Sequence, residues 1–403
     1  MTKPYLLRLM AGMKTNILLL QDAVYLPSFG GGNKANRLLM RELAKLGFDC
    51  RVVARLPGPA QHNPSVFLPE ALAARGAIVH EDERGQQHYT HEGVQVLAMD
   101  TAASTAAAEL EAIIEHERPD WILVSDDHRA VFLPVALSFS AERTIVVVHT
   151  HFHLPFGPES RALNPVQHQR MRQARDIVVV SDYSRHYLRE FGGLEARLLR
   201  FPVFGDAPFA VRGRPDSGYV TMINPCVLKG LPIFLDLVDH FPDIGFAAVP
   251  TWGADDAVIA ALRARTNVTL LEAADEIDTV LQDTRIVLAP SLVHETFGYV
   301  AVDAMLRGIP VLAGGLGGQT EAMLGVDFIL PVCPVEQRDG HVHVPSQDTA
   351  PWRAALSRLL GDPQFYRSSA MAARHAALGF LPQTDARHFA RHLAELGEKP
   401  GLF

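Results

Sequence analysis

The densest group of residues with ligand-binding chemistry lies between positions 290 and 305. An apolar run that ends at Ala289 reads as a buried strand, Glu295 follows in the next loop, and Asp303 comes eight positions later in a predicted helix. Eight residues are about two helical turns, which keeps the second carboxylate near the ligand side. Because a carboxylate accepts hydrogen bonds on both oxygens, the pair suits the vicinal hydroxyls of a sugar and a ribose.

Backbone amides at the start of the same predicted helix offer an anion site. Phe297, Gly298, Tyr299 and Val300 occupy the junction between loop and helix. The first N–H groups of a helix have no partner within it, and the helix dipole places partial positive charge there. These four residues are therefore candidates to hold a phosphate and the group attached to it.

Lysine is scarce in this sequence, which singles out one position. Six lysines stand beside 31 arginines, and Lys229 is the only lysine between Lys45 and Lys399. It lies in a predicted strand-to-helix loop. An ammonium is a compact partner for phosphate oxygens that arginine does not freely replace. The sequence therefore predicts a phosphate contact for Lys229, in preference to a plain surface role.

A glycine cluster follows the first predicted strand. Gly30, Gly31 and Gly32 separate that strand from a helix predicted to begin at residue 33. Glycines let the backbone approach a ligand and leave N–H groups facing an anion. The spacing matches neither the dinucleotide-binding fingerprint nor the P-loop. A ligand-binding loop and an ordinary flexible turn are equally compatible with this pattern.

Three histidines alternate at the end of another predicted strand: His149, His151 and His153. Alternate side chains of an extended chain share one face, and such a group can bind zinc for hydrolysis. No acidic pair with convincing ligand spacing accompanies them, and the sequence has no DxD motif. The sequence therefore predicts no metal and no organic cofactor, with a zinc hydrolase as the disfavoured alternative.

Two further features have competing interpretations. Asp126-Asp127-His128 follows a predicted strand, but such a triplet is more typical of a solvated loop or helix cap. Trp252 also follows a predicted strand. It is equally compatible with lining a pocket for a nucleotide base and with anchoring the core of its domain.

Short apolar runs alternate with amphipathic stretches and position these residues. Runs of Val, Ile and Leu without polar alternation indicate strands buried on both faces. Strands that alternate with helices indicate parallel sheets covered by helices on both sides, with ligands at the carboxyl ends of the strands. The predicted strands are 15–20, 50–54, 121–125, 144–148, 176–180, 218–223, 245–249, 267–271, 285–289 and 309–313.

The segment 201–217 lacks periodicity and contains several prolines and glycines, which is typical of an interdomain linker. We therefore expect an N-terminal Rossmann-like domain over residues 1–205, of which 1–12 are a loose extension. A C-terminal Rossmann-like domain follows over residues 206–375. Residues 376–403 are predicted to form a helix that is a candidate to cross back to the first domain.

The composition excludes several other classes of protein. The 403 residues are 48% hydrophobic and 20% charged, and the net charge of −8 disfavours a nucleic-acid binder. No apolar run reaches the ~20 residues of a transmembrane helix, and the opening residues do not match a signal peptide. Three scattered cysteines favour a reducing compartment. The sequence therefore predicts a soluble, cytoplasmic protein of undetermined oligomeric state.

The block 290–321 resembles the signature of the family 4 retaining glycosyltransferases of the GT-B fold, roughly PSxxExFGxxxxEAMxxGxPVxxxxxGGxxE. The similarity extends over about residues 13–375. It implies an α/β protein with two facing Rossmann-like, doubly wound parallel-sheet domains and a cleft between them. It also implies metal-independent transfer of a sugar from a nucleoside diphosphate sugar to an acceptor, which is a small molecule, a natural product or a glycan.

Position in the family motif gives each matching residue an implied role. Glu295 corresponds to the acid that contacts the donor sugar, Asp303 to the acid that binds the ribose, and Lys229 to the lysine on the diphosphate. The segment 297–300 corresponds to the donor-binding helix start. His149 corresponds to the histidine near the transferred sugar, and the glycines at 30–32 to the loop that approaches the phosphates and the acceptor.

Two positions depart from the family pattern. Asn224 stands where the family has an arginine five residues before the lysine, and Asp303 is one methylene shorter than the usual glutamate. Asn224 is kept as a candidate donor-binding residue. Two rival functions stay open: a GT-B sugar phosphorylase or nucleotide-sugar epimerase, and a non-catalytic partner that binds a nucleotide sugar.

Overall fold

The structure, a computed structural model, describes residues 14–28, 30–57, 64–80, 87–338 and 341–398. The predicted loose extension over residues 1–12 lies outside these ranges. The chain divides into two compact units, one formed by Met1–Val203 with Gln383–Phe403 and the other by Phe204–Pro382.

The first unit alternates strands and helices from its first described strand onward. Its described strands are β1 (Asn16–Gln21), β2 (Asp49–Arg55), β3 (Ile78–His80), β4 (Gln87–His91), β5 (Val94–Met99), β6 (Trp121–Ser125), β7 (Thr144–Val148), β8 (Asp176–Val179) and β9 (Arg197–Leu198). Its described helices are α1 (Gly31–Lys45), α2 (Pro69–Ala74), α3 (Ala106–Glu117), α4 (Phe132–Ser140), α5 (Pro165–Met171) and α6 (Asp182–Gly192).

These strands form one sheet in the order β3-β4-β5-β2-β1-β6-β7-β8-β9. The central strands are parallel, as predicted, but β4 pairs antiparallel with both β3 and β5. This antiparallel hairpin beside the parallel strands was not predicted. A two-residue turn joins β4 to β5, and its residues Glu92 and Gly93 have φ of +50° and +80°. Such a pair is typical of a tight hairpin turn.

The second unit has a smaller sheet and a longer set of C-terminal helices. Its described strands are β10 (Tyr219–Ile223), β11 (Phe246–Val249), β12 (Val268–Leu270), β13 (Thr284–Ala289), β14 (Val311–Gly314), β15 (Ile329–Leu330), β16 (Glu336–Arg338) and β17 (His341–His343). Its described helices are α7 (Leu231–His240), α8 (Asp256–Arg263), α9 (Ile277–Leu281), α10 (Tyr299–Leu306), α11 (Gln319–Ala322), α12 (Ala350–Gly361) and α13 (Pro363–Phe380). The strand order is β12-β11-β10-β13-β14-β15, all parallel, with β16 and β17 in a separate antiparallel ribbon.

Each sheet reverses its strand order at its first strand. In the first unit β1 lies between β2 and β6, and in the second unit β10 lies between β11 and β13. Loops that leave the carboxyl ends of such neighbouring strands diverge to opposite faces, and ligands of doubly wound sheets bind in the crevice between them. The fold therefore marks one candidate ligand position in each unit.

The buried strands explain why these elements form. Ile17, Leu18, Leu19 and Leu20 in β1 are each at most 1% exposed, so helices cover both faces of the strand. The last described helix, α14 (Ala386–Glu398), belongs to the first unit. Among the described helices, none combines the length and apolar character needed to cross a membrane.

Candidate functional site

Lys229 and Glu295 come together at the position where the second sheet reverses its strand order. Lys229 ends a 3₁₀ turn, Val227–Lys229, in the loop after β10, and Glu295 lies in the loop after β13. Lys229 Nζ donates a hydrogen bond to Glu295 Oε1, and the two groups form an ion pair. The side chains are 25% and 18% exposed. An ammonium and a carboxylate are thus partly enclosed where such a sheet binds its ligand.

Close backbone packing holds the two loops in place. Gly230 has φ of +91°, and a Cβ there would lie 2.1 Å from Pro290 O. Gly317 has φ of +60°, and a Cβ there would lie 2.7 Å from Glu295 O. Gly318 N donates to the same Glu295 oxygen at 2.6 Å. Only glycine fits the positive φ and the close approach together, so the glycines of the 290–321 motif position the Glu295 backbone.

The start of α10 is similarly constrained. Gly298 precedes the helix with φ of +103°, and a Cβ there would lie 2.6 Å from Gln319 Oε1. Phe297 is 1% exposed, and its ring meets the Tyr299 ring edge-on at 5.4 Å. Val300 is the second residue of the helix. The amides of this first turn are therefore held by a fixed backbone, beside the loop that carries Glu295.

Asp303 has an arginine partner that was not predicted from the sequence. It is 3% exposed, and Arg307, four residues on, donates from one terminal nitrogen to its Oδ1 at 3.3 Å and to its main-chain oxygen at 2.9 Å. The other nitrogens of Arg307 contact Asp278 Oδ1 at 2.9 Å and Oδ2 at 2.6 Å. Because both ends of the guanidinium are held, Arg307 fixes the rotamer of Asp303. Asp303 and Arg307 are four residues apart in a predicted helix, and this spacing could have indicated the ion pair from the sequence.

We expect Arg307→Met to destabilise the second unit by about 3 kcal/mol, because it leaves the Asp303 carboxylate buried without its cation. Urea unfolding followed by tryptophan fluorescence measures the loss. The matched control is Arg265→Met, which removes a bidentate pair with Asp239 at 2.7 Å whose carboxylate is 56% exposed. We expect less than about 1 kcal/mol from that change. Equal losses of unfolding free energy in the two variants would contradict the expectation that the buried ion pair stabilises the protein more than the exposed one.

Asn224 has a definite position although it replaces the expected arginine. It has φ of +57°, and its Oδ1 accepts a hydrogen bond from Gly253 N at 3.0 Å. This contact joins the loop after β10 to the loop after β11. Its Nδ2 is buried and has no hydrogen-bond partner among the residues that the structure describes. Neighbouring Trp252 is 52% exposed, so the interpretation as a core anchor is wrong.

His149, directly after β7, is buried in the first unit and held by an amide. Its Nε2 lies 2.8 Å from Asn36 Oδ1. Asn36 Nδ2 donates to Gln21 Oε1 at 3.0 Å and to Ser125 Oγ at 2.9 Å, which fixes the orientation of the amide. Because Oδ1 only accepts, the proton of the neutral ring resides on Nε2. Asn36 therefore selects the tautomer of His149, a role that no local pattern revealed.

The glycine loop packs against this histidine. Gly30 has φ of +129° and precedes α1. The helix begins at Gly31 and not at residue 33 as predicted, so Gly31 and Gly32 lie in its first turn. A Cβ on Gly32 would lie 2.7 Å from the His149 Cβ. The structure thus brings together the predicted glycine site and the predicted histidine site of the first unit. A side chain at position 32 would collide with His149, which explains the glycine there.

Burial lowers the pKa of His149 below its ordinary value of 6.5, with Asp126 opposing the change. The histidine of the unfolded chain therefore binds a proton at a higher pH than that of the folded chain. Stability is lost as the pH falls below about 6.5. We expect the melting temperature of the wild type to fall between pH 7 and pH 5.5, and that of His149→Gln to fall less. His116→Gln, at an exposed position of α3, is the control and should keep the wild-type slope. Identical slopes in all three proteins would contradict the expectation.

The three alternating histidines do not share one face. His151–His153 form a 3₁₀ turn and not the end of a strand, so strand alternation does not apply and that prediction is wrong. His151 Nδ1 lies 2.8 Å from Glu159 Oε2, and its Nε2 lies 2.9 Å from Ser184 Oγ. Within the described ranges no group of three or more His, Cys, Asp or Glu side chains could hold a metal ion. The absence of a metal requirement stays a prediction.

Asp127 has the structural role that its pattern favoured. Its carboxylate accepts hydrogen bonds from the backbone N–H groups of Val131, Phe132 and Leu133 at 2.8–3.1 Å, at the start of α4. Burial nevertheless raises the pKa of Asp127, although these hydrogen bonds oppose the shift. Asp127 therefore caps a helix.

Two protein-family models match the chain. A "Glycosyl transferase 4-like domain" matches residues 30–203, and "Glycosyl transferases group 1" matches residues 219–362. Among curated proteins, the D-inositol 3-phosphate glycosyltransferase of Corynebacterium diphtheriae is 35% identical over 104 residues. That of Thermobispora bispora is 38% identical over 96 residues. These segments are 26% and 23% of this chain, and they span only 21% and 19% of the relatives' length.

Solved structures show the same fold over nearly the whole chain. Sucrose-phosphate synthase from Thermosynechococcus elongatus matches with a TM-score of 0.70 and 15% identity, over 95% of this chain and 99% of that one. Anabaena HepE in complex with UDP and glucose matches with a TM-score of 0.64 and 19% identity, over 94% and 98%. The two parallel-sheet α/β units, the matched models and these folds agree with the resemblance in the motif. The chain belongs to the family 4 glycosyltransferases of the GT-B fold.

Proposed function

We propose that this protein moves a sugar from a nucleoside diphosphate sugar to a hydroxyl acceptor, with retention of configuration and without a metal ion. The observation that supports this most is the contact between Lys229 and Glu295, in the loops after β10 and β13. The first turn of α10 follows directly in the chain. The loop after β10 thus supplies a cation for a diphosphate. The loop after β13 and the first turn of α10 supply a carboxylate for sugar hydroxyls and further amide donors for the diphosphate.

The donor is proposed to replace the partner that each charged group has in the structure. Lys229 leaves Glu295 and contacts the diphosphate, while Glu295 accepts hydrogen bonds from the sugar. Asp303, held by Arg307, is proposed to bind the ribose. Asn224 supplies a buried amide donor, its Nδ2, where the family has a guanidinium. It is a neutral donor, so Lys229 and the helix amides carry most of the charge stabilisation.

The bond changes define what these groups must stabilise. The bond from the anomeric carbon to the distal phosphate oxygen breaks, and a bond from the same carbon to the acceptor oxygen forms. The acceptor proton passes to the departing phosphate on the same face of the sugar. Negative charge grows on the diphosphate as the bond breaks, so the fixed ammonium of Lys229 stabilises the transition state more than the ground state.

His149 and the glycine loop are proposed to serve the transferred sugar and the acceptor. The Asn36 contact fixes one tautomer of His149, and burial keeps the ring neutral at pH 7. A neutral, oriented imidazole positions a hydroxyl without adding charge to the leaving group. Gly32 lets α1 approach the ring, so the loop and the histidine act as one unit.

A panel of nucleoside diphosphates and their sugars tests the proposal. UDP and UDP-glucose are the first probes, because HepE was solved with UDP and glucose. We expect at least one nucleoside diphosphate to raise the melting temperature, since a ligand of the native state stabilises it. With the matching sugar donor and a mixture of polyols and sugars, the product should keep the donor's anomeric configuration and form equally in EDTA.

Three outcomes would overturn the proposal. No response to any nucleoside diphosphate would contradict the donor assignment. Epimerised donor in the absence of an acceptor, or consumption of a glycoside by inorganic phosphate, would favour the rival enzymes. Binding without turnover across acceptors would favour a non-catalytic partner.

A further inference from the structure

A second group of charged side chains lies at the carboxyl edge of the first unit's sheet, outside the roles given above. We call it the arginine cluster and define it as Asp22, Arg55, His128, Arg129 and His153. Asp22 directly follows β1, Arg55 is the last residue of β2, and the others lie in the loops after β6 and β7. These strands are parallel neighbours in the sheet. The cluster therefore occupies the edge where doubly wound sheets bind ligands.

A buried carboxylate organises the cluster. The Asp22 side chain is 1% exposed, and Thr101 Oγ1 donates to its Oδ1 at 3.1 Å. His128 Nδ1 lies 3.1 Å from Asp22 Oδ2. Arg55 and Arg129 each bring one nitrogen to 3.8 Å, the first from Oδ1 and the second from Oδ2. Both guanidinium groups thus flank the two oxygens of one carboxylate.

The guanidinium groups keep unused hydrogen-bonding capacity. A separation of 3.8 Å is too long for a hydrogen bond, and within the described part of the chain neither side chain donates one. Arg55 Nε is buried and has no hydrogen-bond partner within the described ranges. Each guanidinium has five donors, and an unsatisfied donor is costly where it is buried, as Arg55 Nε is. The side chains are 27% and 40% exposed, so a ligand can reach them.

The arginine cluster adjoins the position expected for the acceptor. His153 Nδ1 lies 3.8 Å from Asp126 Oδ1, and the rings of His153 and His128 are 4.9 Å apart. Asp126 Oδ2 in turn lies 3.4 Å from where a Cβ on Gly32 would be, and that same point is 2.7 Å from the His149 Cβ. Neighbouring side chains of the first unit thus lie between His149 and the arginines, at the separations given above.

We propose that Arg55 and Arg129 bind an oxyanion, a phosphate or a carboxylate, carried by the acceptor. This inference rests on the proposed function, because it names the chemical class of the acceptor. Planar guanidinium groups match the oxygens of phosphate and carboxylate with paired N–H donors. Asp22 holds the two cations together in the free protein and neutralises only one of them. The hydroxyl that receives the sugar then lies on the side of the acceptor toward His149.

Chemical modification of arginine by phenylglyoxal, mapped by mass spectrometry, tests the site without an acceptor assay. The probes are inorganic phosphate and sodium acetate, against sodium chloride at equal ionic strength. At ten times its dissociation constant, the bound oxyanion should slow modification of Arg55 and Arg129 about tenfold. Arg189, an exposed arginine paired with Glu195 at 2.8 Å, is the control and should react at an unchanged rate.

The pattern of protection identifies the anion. Protection by phosphate alone supports an acceptor that carries a phosphate, and equal protection by acetate supports a carboxylate. Protection of neither arginine, or of Arg189 to the same extent, would overturn the site. Protection by UDP as strong as that by phosphate would also overturn it, because the cluster would then belong to the donor.

Variants separate this inference from the proposed function. Arg55→Gln should abolish phosphate protection of Arg129, and Arg129→Gln that of Arg55, while UDP affinity stays at the wild-type value in both. Melting curves confirm that each variant folds. If UDP binds the wild type, and phosphate still protects the remaining arginine in each variant, the oxyanion site fails and the donor site stands. If no nucleoside diphosphate of the panel binds the wild type, the proposed function fails independently of the arginines.

Discussion

Lys229→Met is expected to lower kcat about 10³-fold, which corresponds to about 4 kcal/mol of transition-state stabilisation. The ammonium is fixed by the 3₁₀ turn Val227–Lys229 and by the required glycine at 230. Methionine keeps the length and apolar stem of the side chain but removes the charge aimed at the departing diphosphate. The effect should fall mainly on kcat, because the diphosphate charge grows as the glycosidic bond breaks.

A matched lysine makes the result interpretable. Lys45 forms an ion pair with Glu42 at 2.9 Å, as Lys229 does with Glu295, but its side chain is 52% exposed at the end of α1. Lys45→Met should leave kcat within about twofold of the wild type, since exposed pairs contribute less than about 1 kcal/mol. A Lys229→Met enzyme as active as Lys45→Met would remove the cation from the proposed mechanism.

Glu295→Gln is expected to lower kcat/KM for the sugar donor about 10²-fold and to leave the affinity for the nucleoside diphosphate within about threefold. Glutamine preserves the shape, but its amide nitrogen cannot accept a hydroxyl hydrogen bond. A charge-assisted bond is worth roughly twice a neutral one. Because Gly318 N contacts the main chain of Glu295 at 2.6 Å, the substitution leaves the loop in place.

Comparison of two ligands checks this assignment. Calorimetry with the nucleoside diphosphate alone and with its sugar conjugate separates contacts to the diphosphate from contacts to the sugar. Glu42→Gln, at the partner of Lys45 on α1, is the control, because its side chain is 21% exposed and so nearly as enclosed as that of Glu295. This variant should bind both ligands as the wild type does. Equal weakening of both ligands by Glu295→Gln would place the carboxylate at the nucleotide and not at the sugar.

Local pattern was sufficient for most of the fold. Apolar runs located ten of the strands from β1 to β14, to within two residues at every end. The hairpin β4–β5 was missed because β4, QHYTH, is mostly polar and lacks the apolar run that indicated the other strands. Its turn, Glu92-Gly93, was the available signal. The strands β3, β9 and β15 have two or three residues each, too few for periodicity to indicate them.

Some residues of the candidate site could be identified from a local motif, and others come together only through the pairing of distant strands. Glu295 and the start of α10 lie in one segment with a dense motif, so spacing alone identified them. Asn36 and His149 are separated by 113 positions, and only the pairing of β1, β6 and β7 brings their loops together. Arg55 and Arg129 meet at Asp22 for the same reason. The sequence also predicted one face for His149, His151 and His153, which failed because the chain turns after β7.

A crystal structure with a bound nucleoside diphosphate sugar tests the central claim most directly, with the donor chosen as the one that raises the melting temperature most. We expect Lys229 Nζ within about 3.2 Å of a diphosphate oxygen and the Glu295 carboxylate hydrogen-bonded to a sugar hydroxyl. Their mutual ion pair should be broken. A donor bound elsewhere while Lys229 and Glu295 still contact each other would contradict the account.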